Sequence, residues 1–273
     1  MSVDRSSEAG EPVLVSDPKQ VAHIEAENTL RQFDMAMVEL DKWLKPDDYK
    51  IKPSKIMQLN RVALQRLSKY AGVFRPGDIK ITGSTHLPPD ADTVPELMEQ
   101  LCDYVNENWR LKSPSHLAAY VLWKINWIHP FVDGNGRTAR VVSYLVMCAG
   151  LGYRLPGTKT IPDQIAVDKA PYYRALEAAD KAFSQGQLDL SDLEELINSH
   201  LAVQLLDIHN SATGKNHKDR QAIATMPVLP TVGAERAAAK DKFSLIRHIE
   251  THPVIYTFLG AVIVAIVTWI LGR

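Results

Sequence analysis

A twelve-residue stretch, residues 129–140, carries most of the side chains in this chain that could do chemistry together. It reads His-Pro-Phe-Val-Asp-Gly-Asn-Gly-Arg-Thr-Ala-Arg, and it follows an apolar helical pattern that Pro130 must end. His129 is therefore predicted to lie at a helix end, facing a loop. Imidazole titrates near neutral pH, so this side chain is a candidate general base that takes a proton from a hydroxyl group.

The loop after the histidine has the features of an anion-binding site. Its Gly-Asn-Gly turn, residues 134–136, opens a second apolar helical pattern, so unpaired backbone N–H groups and the positive end of a helix dipole meet there. Arg137 and Arg140 share one face of the first turn of that helix and add two positive charges. Asp133 precedes the turn, where a carboxylate is best explained by a cation that it shares with a bound phosphate.

A purely structural interpretation of the same stretch is a turn between two buried helices with solvated arginines. It explains the proline and the glycines, but it does not explain why a histidine, an aspartate and two arginines converge on one helix N-terminus. We therefore favour the functional interpretation.

Residues 129–140 are similar to the signature of the Fic family, H-x-F-x-D/E-G-N-G-R-x-x-R, and they match it at every defined position. The resemblance covers roughly residues 18–210 and implies transfer of AMP from ATP to a Ser, Thr or Tyr hydroxyl of a target protein, with Mg²⁺ as cofactor. It also implies a role for each matching residue: catalytic His129, metal-binding Asp133, and nucleotide- and phosphate-binding Gly134, Asn135, Gly136, Arg137 and Arg140.

Two kinds of alternative remain open at this point. One is a different reaction on the same scaffold, such as phosphorylation, the use of another nucleotide or the removal of AMP. The intact Gly-Asn-Gly turn and Asp133 favour AMP transfer over phosphorylation, because phosphorylating relatives alter this turn. The other is a non-catalytic, membrane-anchored adaptor that binds nucleotide, which a degenerate signature would have supported.

The first predicted helix begins at Asp17-Pro18 and carries a carboxylate on its apolar face. Glu27 lies three residues after Ile24 and three before Leu30, so the pattern places it on the buried face, while Glu25 points away. An inward carboxylate favours a cationic partner, although it could also be an ordinary residue at the edge of the core.

Fic proteins often carry an inhibitory helix with the pattern S/T-x-x-x-E-G/N, whose glutamate pairs with the last arginine of the signature. Residues 23–28 of this chain read His-Ile-Glu-Ala-Glu-Asn, with His23 where the pattern has Ser or Thr. The resemblance implies that Glu27 inhibits the enzyme by pairing with Arg140.

The remaining patterns predict an all-α, Fic-type helical domain with one small β-hairpin. Helices are predicted near residues 53–71, 93–111, 114–128, 170–184 and 190–211. The resemblance implies that tyrosines 172 and 173 could line a pocket for the nucleotide base, but they are left out of the site because aromatic residues in a helix are more often part of the core. The strict alternation at Ile79, Lys80, Ile81 and Thr82 is the only strong strand signal. The resemblance implies that this hairpin is a flap that docks the target's backbone; alternatively, it only covers the core.

The composition excludes some functions and partners. Lysine and arginine number 31 against 32 aspartates and glutamates, so no global charge indicates a nucleic-acid partner. Cys102 and Cys148 both fall in apolar helical patterns, which indicates buried free thiols and no disulfide. The length allows one large or two small domains and leaves the oligomeric state open, a homodimer included.

The chain is predicted to have four parts. Residues 1–16 are a flexible tail, residues 17–212 the catalytic domain with its inhibitory helix, residues 213–242 a flexible linker and residues 243–273 a membrane anchor. Within the anchor, Val254–Leu271 contains no charged residue and is long enough for one transmembrane helix. More Lys and Arg lie on its N-terminal side, which predicts a single-pass protein with its catalytic domain in the cytoplasm.

Overall fold

A computed structural model describes residues 5–8, 10–45 and 50–213 of the chain. The described residues up to Gln204 form one compact unit; of the second unit, which begins at Leu205, only the last part of a helix is described. The strands are β1 (Ser6–Glu8) and β2 (Lys80–Thr82). The helices are α1 (Pro18–Trp43), α2 (Pro53–Leu64), α3 (Val94–Asn108), α4 (Pro114–Ile128), α5 (Asn135–Leu151), α6 (Ile161–Val167), α7 (Lys169–Ser184) and α8 (Ser191–Thr213).

The centre of the first unit is the helix pair α4–α5, the two elements that the signature joins. Residues 117–125 of α4 are all buried, because its sequence is apolar on nearly every face and other helices surround it. The Ser143 hydroxyl of α5 donates to the Ala118 carbonyl of α4 at 2.8 Å. The two helices that flank the signature loop are thus held against each other.

Helices α1 and α2 pack against each other and against α5, and polar side chains join them. The buried face of α1 includes Asn28 and Gln32. The Asn28 side chain donates to the Gln65 carbonyl at 2.7 Å, and the Gln32 side chain donates to the Leu59 carbonyl at 3.1 Å. Buried amides with such partners fix the register of α1 on α2 as well as stabilising the contact.

The predicted β-hairpin is wrong, although the strand within it is present at Lys80–Thr82. That strand pairs with β1 from the segment that the sequence assigned to a flexible tail, in antiparallel register with Ser7 opposite Ile81. The sequence Ser6-Ser7-Glu8 has no alternating apolar pattern, so local propensity gave no sign of this long-range pairing.

Most of the predicted helices are present within a few residues of their predicted bounds. The one predicted at 53–71 is shorter: it ends at Leu64, and Arg66 adopts a left-handed conformation with φ 70° that no helix can continue. Cys102 and Cys148 are free and buried as predicted, and burial raises the pKa of their thiols to about 12 and about 11.

In the described part of the chain, none of the helices combines the length and the apolar character that a bilayer crossing requires. The predicted linker and anchor, residues 213–273, lie outside the described residues apart from Thr213.

Candidate active site

His129 ends α4 in a left-handed conformation, with φ 51° and ψ 58°. This conformation is uncommon for a residue with a side chain, and the contacts around it hold it in place. Its N–H donates to the Ile125 carbonyl at 2.9 Å, and its own carbonyl accepts from the Arg75 side chain at 3.0 Å. Pro130 then prevents the helix from continuing. The imidazole is therefore held at a fixed place beside the loop.

The environment of the His129 ring keeps it neutral. Its pKa is lowered from 6.5 to about 4, mainly by burial and also by the nearby His86 and Arg75, while the hydrogen bond to the Asn126 carbonyl and the charge of Asp133 act in the opposite direction. Nδ1 lies 3.3 Å from that carbonyl oxygen, which can only accept a hydrogen bond. The proton of the neutral ring therefore belongs on Nδ1, so Nε2 is free to accept one from a hydroxyl group.

The Gly-Asn-Gly turn is braced from inside the protein. Asn135 is buried, and its side chain accepts from the Phe131 N–H at 2.9 Å and donates to the Phe131 carbonyl at 2.8 Å. Gly134 has a left-handed φ of 75°, and Asn60 of α2 donates to the Asp133 carbonyl at 3.0 Å. Because the Asn135 side chain is engaged, its contribution to phosphate binding would come from its backbone N–H.

The two signature arginines differ in their surroundings. Arg137 pairs with Asp133 at 3.1 Å and with Glu25 of α1 at 3.2 Å. Arg140, which like Arg137 lines a cavity beside the loop, has no ion-pair partner among the residues that the structure describes. One guanidinium is thus already neutralised, while the other remains available to a phosphate.

The predicted ion pair between Glu27 and Arg140 does not form. Glu27 instead pairs with His23 at 3.5 Å, Arg31 at 3.9 Å and Arg66 at 3.2 Å, on the outer side of α1. The carboxylate that reaches the signature is Glu25, which the sequence pattern had pointed away from the buried face.

A cavity of about 530 Å³ joins these groups. Its wall includes His129, the 134–136 turn, both signature arginines and Ile81 of β2. Tyr172 and Tyr173 of α7, which the sequence prediction leaves out of the site, also line it. Tyr172 is buried, and its hydroxyl accepts from the Asn126 side chain at 2.7 Å. The volume falls in the range typical of small-molecule sites.

Several site residues went unnoticed in the sequence. Asn60 and Arg75 hold the turn and His129 in place from segments whose patterns indicated only a helix and a turn. Ser7 of β1 places its Oγ atom 2.9 Å from His129 Nε2. The Ser-Ser pair offered no recognisable signal, whereas a buried arginine such as Arg75 could have been suspected from its place between Phe74 and Pro76.

Comparisons with known proteins show which sequences and folds this chain resembles. Residues 50–147 match the Fic/DOC family. The chain is 30% identical over 161 residues to the protein adenylyltransferase Fic of Drosophila willistoni and 32% identical over 162 residues to that of Drosophila melanogaster. Each alignment covers 58% of this chain and 30% of the relative, so the chain spans about a third of the length of the curated relatives that it matches.

Solved structures show the same fold. Fic-1 from C. elegans is 25% identical with a TM-score of 0.54, and the likeness covers 69% of this chain and 52% of that one. A Fic domain containing signaling protein from Bacteroides thetaiotaomicron is 22% identical with a TM-score of 0.57, over 75% of this chain and 78% of that one. The described residues therefore have a mostly helical, Fic-like fold, within which residues 50–147 match the Fic/DOC family.

Proposed function

We propose that this chain is a protein adenylyltransferase that transfers AMP from ATP to a Ser, Thr or Tyr hydroxyl of a target protein. The observation that carries the proposal is the position of His129. Its Nε2 atom lies 2.9 Å from the hydroxyl group of Ser7. The ring lines the same cavity as the N-terminus of α5 and the two signature arginines. The curated relatives named adenylyltransferases support the same reaction.

The chain's own residues suit each part of that reaction. Neutral His129 accepts the proton of the target hydroxyl at Nε2 as the oxygen attacks the α-phosphorus of ATP. The bond from the α-phosphorus to the bridging oxygen breaks, and pyrophosphate leaves. Charge on the phosphates is stabilised by the backbone N–H groups at the start of α5 and by Arg140. These donors are fixed before ATP arrives, so little reorganisation is needed.

Asp133 is the residue that would hold Mg²⁺. Its side chain is half exposed at the cavity, and one carboxylate oxygen accepts from Arg137 at 3.1 Å. No cluster of three or more metal-binding side chains occurs among the described residues. That suits a magnesium ion that arrives with ATP, since protein sites commonly give Mg²⁺ only one or two carboxylates beside the phosphates. The ion would neutralise charge on the phosphates of ATP.

The test uses ATP labelled at the α- or the γ-phosphate, incubated with the purified chain and lysate proteins. We expect the α-label, and not the γ-label, to become attached to protein, and His129→Ala to abolish this while ATP binding persists. Transfer of the γ-label would show a kinase and contradict the proposal. Substantial transfer by His129→Ala would contradict the role of the histidine.

We infer that Glu25, and not Glu27, restrains the reaction. Glu25 and Asp133 both pair with Arg137, so the guanidinium is held by two carboxylates before ATP enters. An incoming phosphate must compete with both for the same donors. ATP would then bind with its phosphates displaced from the productive position. The productive position would become available when α1 moves or when the Glu25–Arg137 ion pair breaks.

We also propose that residues 213–242 are a linker and residues 243–273 a single-pass membrane anchor that leaves the catalytic domain on the cytoplasmic side, from the charge-free run Val254–Leu271 and the basic residues that precede it. A chain ending at residue 242 should leave the membrane fraction and keep the cooperative unfolding of the helical unit. Should it aggregate or lose that transition, the terminal segment would belong to the folded core.

A further inference from the structure

The N-terminal strand β1 occupies the edge that a target would need. Strand β2 is otherwise an unpaired edge near the cavity, and an extended peptide can add to such an edge by main-chain hydrogen bonds. Strand β1 does this from within the same chain, antiparallel, with Ser6 opposite Thr82, Ser7 opposite Ile81 and Glu8 opposite Lys80. It therefore occupies this edge by the same strand addition that would dock an extended peptide.

The alternation of a strand decides which hydroxyl faces the site. Successive side chains point to opposite faces, so Ser6 and Ser7 cannot both reach the histidine. Ser7 is half-buried and its Oγ lies 2.9 Å from His129 Nε2, whereas Ser6 is exposed. The Nδ1 proton of the ring faces the Asn126 carbonyl, which leaves Nε2 to accept the proton of the Ser7 hydroxyl.

Arg5 holds the strand from its other side. Its guanidinium carbon lies 4.2 Å from the centre of the Tyr173 ring, it forms an ion pair with Glu177, and its backbone N–H donates to the Tyr173 hydroxyl at 3.4 Å. The Arg5 side chain is only 13% exposed. Ser7 is thus held on one side by the β2 edge and on the other by the contacts of Arg5 with Tyr173 and Glu177 of α7. A hydroxyl group held in a fixed position reacts faster than one that only passes near the histidine.

We propose that Ser7 is an acceptor of the chain's own transferase activity, modified with AMP within the same molecule. This inference rests on the proposed function. The Ser7 Oγ atom forms a bond to the α-phosphorus of ATP, the bond from that phosphorus to the oxygen bridging to the β-phosphorus breaks, pyrophosphate leaves, and the hydroxyl proton goes to His129 Nε2. The products are a phosphodiester at Ser7 and pyrophosphate.

The first experiment compares two neighbouring serines. The full chain and its Ser7→Ala and Ser6→Ala variants are incubated with α-labelled ATP and lysate proteins, each with Glu25 intact and with Glu25→Gly. We expect Ser7→Ala to lose at least about tenfold of the self-label while lysate proteins remain labelled, and Ser6→Ala to stay within about twofold of its parent. Peptide mass spectrometry should place AMP on Ser7.

The outcomes separate this inference from the proposed function. If lysate proteins become labelled but Ser7 does not, both with Glu25 intact and with Glu25→Gly, the inference about Ser7 is overturned and the proposed function stands. Strand β1 would then only block the β2 edge. If neither the chain nor lysate proteins acquire the α-label in either background, the proposed function fails and the inference with it.

A second experiment tests the intramolecular route. We expect the labelled fraction of Ser7 at a fixed time to be independent of chain concentration, and a tagged His129→Ala chain to stay unlabelled when mixed with active chain. Glu177→Gln, which removes the Arg5 ion pair, should slow Ser7 labelling several-fold and leave labelling of lysate proteins unchanged. Labelling of the inactive chain in proportion to enzyme concentration would overturn the in-cis assignment.

Discussion

The His129 side chain makes the stability of the protein depend on pH. The unfolded histidine binds a proton near pH 6.5, but the buried one does so only near pH 4. The unfolded state thus holds more protons between these values, and stability must fall as pH drops through that window, by about 3 kcal/mol at most.

We expect the free energy of unfolding in urea to fall more steeply for the parent chain than for His129→Asn between about pH 6.5 and about pH 4. Asparagine tolerates the left-handed backbone and does not titrate, so it is the matched comparison. Parallel pH profiles of the two chains would mean that the ring is not held neutral.

The two glycines of the signature turn have different tasks, which alanine can separate. At Gly134, φ is 75° and an added Cβ would lie 3.0 Å from the Asn60 side chain, so Gly134→Ala should destabilise the fold by about 1–2 kcal/mol. At Gly136, the nearest atom to an added Cβ is Arg140 Nη1 at 3.4 Å, an ordinary contact.

We therefore expect Gly136→Ala to melt near the parent temperature but to bind ATP more weakly, because the added methyl group would narrow the proposed phosphate site beside Arg140. Thermal unfolding and ATP titration of both variants distinguish the two effects. Equal loss of melting temperature in both would refute the division of roles.

At the scale of elements, α1 shows how a sequence pattern can be read in the wrong phase. Leu30 was taken as part of the buried face, yet it is 69% exposed, and the buried residues follow Ile24 at intervals of four through Asn28 and Gln32. The predicted face and the buried face share Ile24, but the polar residues Asn28 and Gln32, which donate to backbone carbonyls of α2 and the residue after it, are buried where the pattern had placed Glu27 and Leu30. This rotation of α1 brings Glu25 toward α5. The packing of α1 on α2 sets the rotation, and the local sequence pattern does not.

The rotation of α1 yields a paired prediction. Glu25→Gly should raise target modification several-fold, since a pair that is partly exposed contributes about 1 kcal/mol, equivalent to about fivefold. Glu27→Gly costs the helix a similar amount of propensity but leaves Arg137 engaged, so its activity should match the parent. Initial rates with α-labelled ATP measure both. A larger rise with Glu27→Gly would restore the original assignment.

Arg75 links His129 to the segment that precedes β2. Its side chain is fully buried, it donates to the His129 and Gly77 carbonyls at 3.0 Å each and to the Pro89 carbonyl, and burial lowers its pKa. One guanidinium fork makes all these bonds, and a lysine cannot reproduce them.

We expect Arg75→Lys to lower the free energy of unfolding by about 3 kcal/mol, because carbonyl groups are left without donors. Arg110→Lys, at an exposed position, should change it by less than about 0.5 kcal/mol. Urea unfolding of both chains checks this, and similar midpoints would show that Arg75 adds no stability.

At the scale of the whole molecule, the sequence predicted local elements well and long-range contacts poorly. The helix order and the signature loop follow from periodicity, caps and prolines, such as Ser113-Pro114 before α4. The partner of β2 lies more than seventy residues earlier in a polar segment, and no local preference specifies that pairing. The buried amide and guanidinium contacts likewise depend on elements far apart in the chain.

Because residues 9–17 alone separate β1 from α1, the strand stays near β2 even when it detaches. A short tether of this kind gives an effective concentration in the millimolar range. Free protein strands in a cell are far more dilute, so a target that offers only a matching strand loses the competition for the β2 edge. A partner would therefore have to bind first at another surface before it could displace β1. Selection would then depend on that first contact and not on the sequence of the strand that it offers to β2.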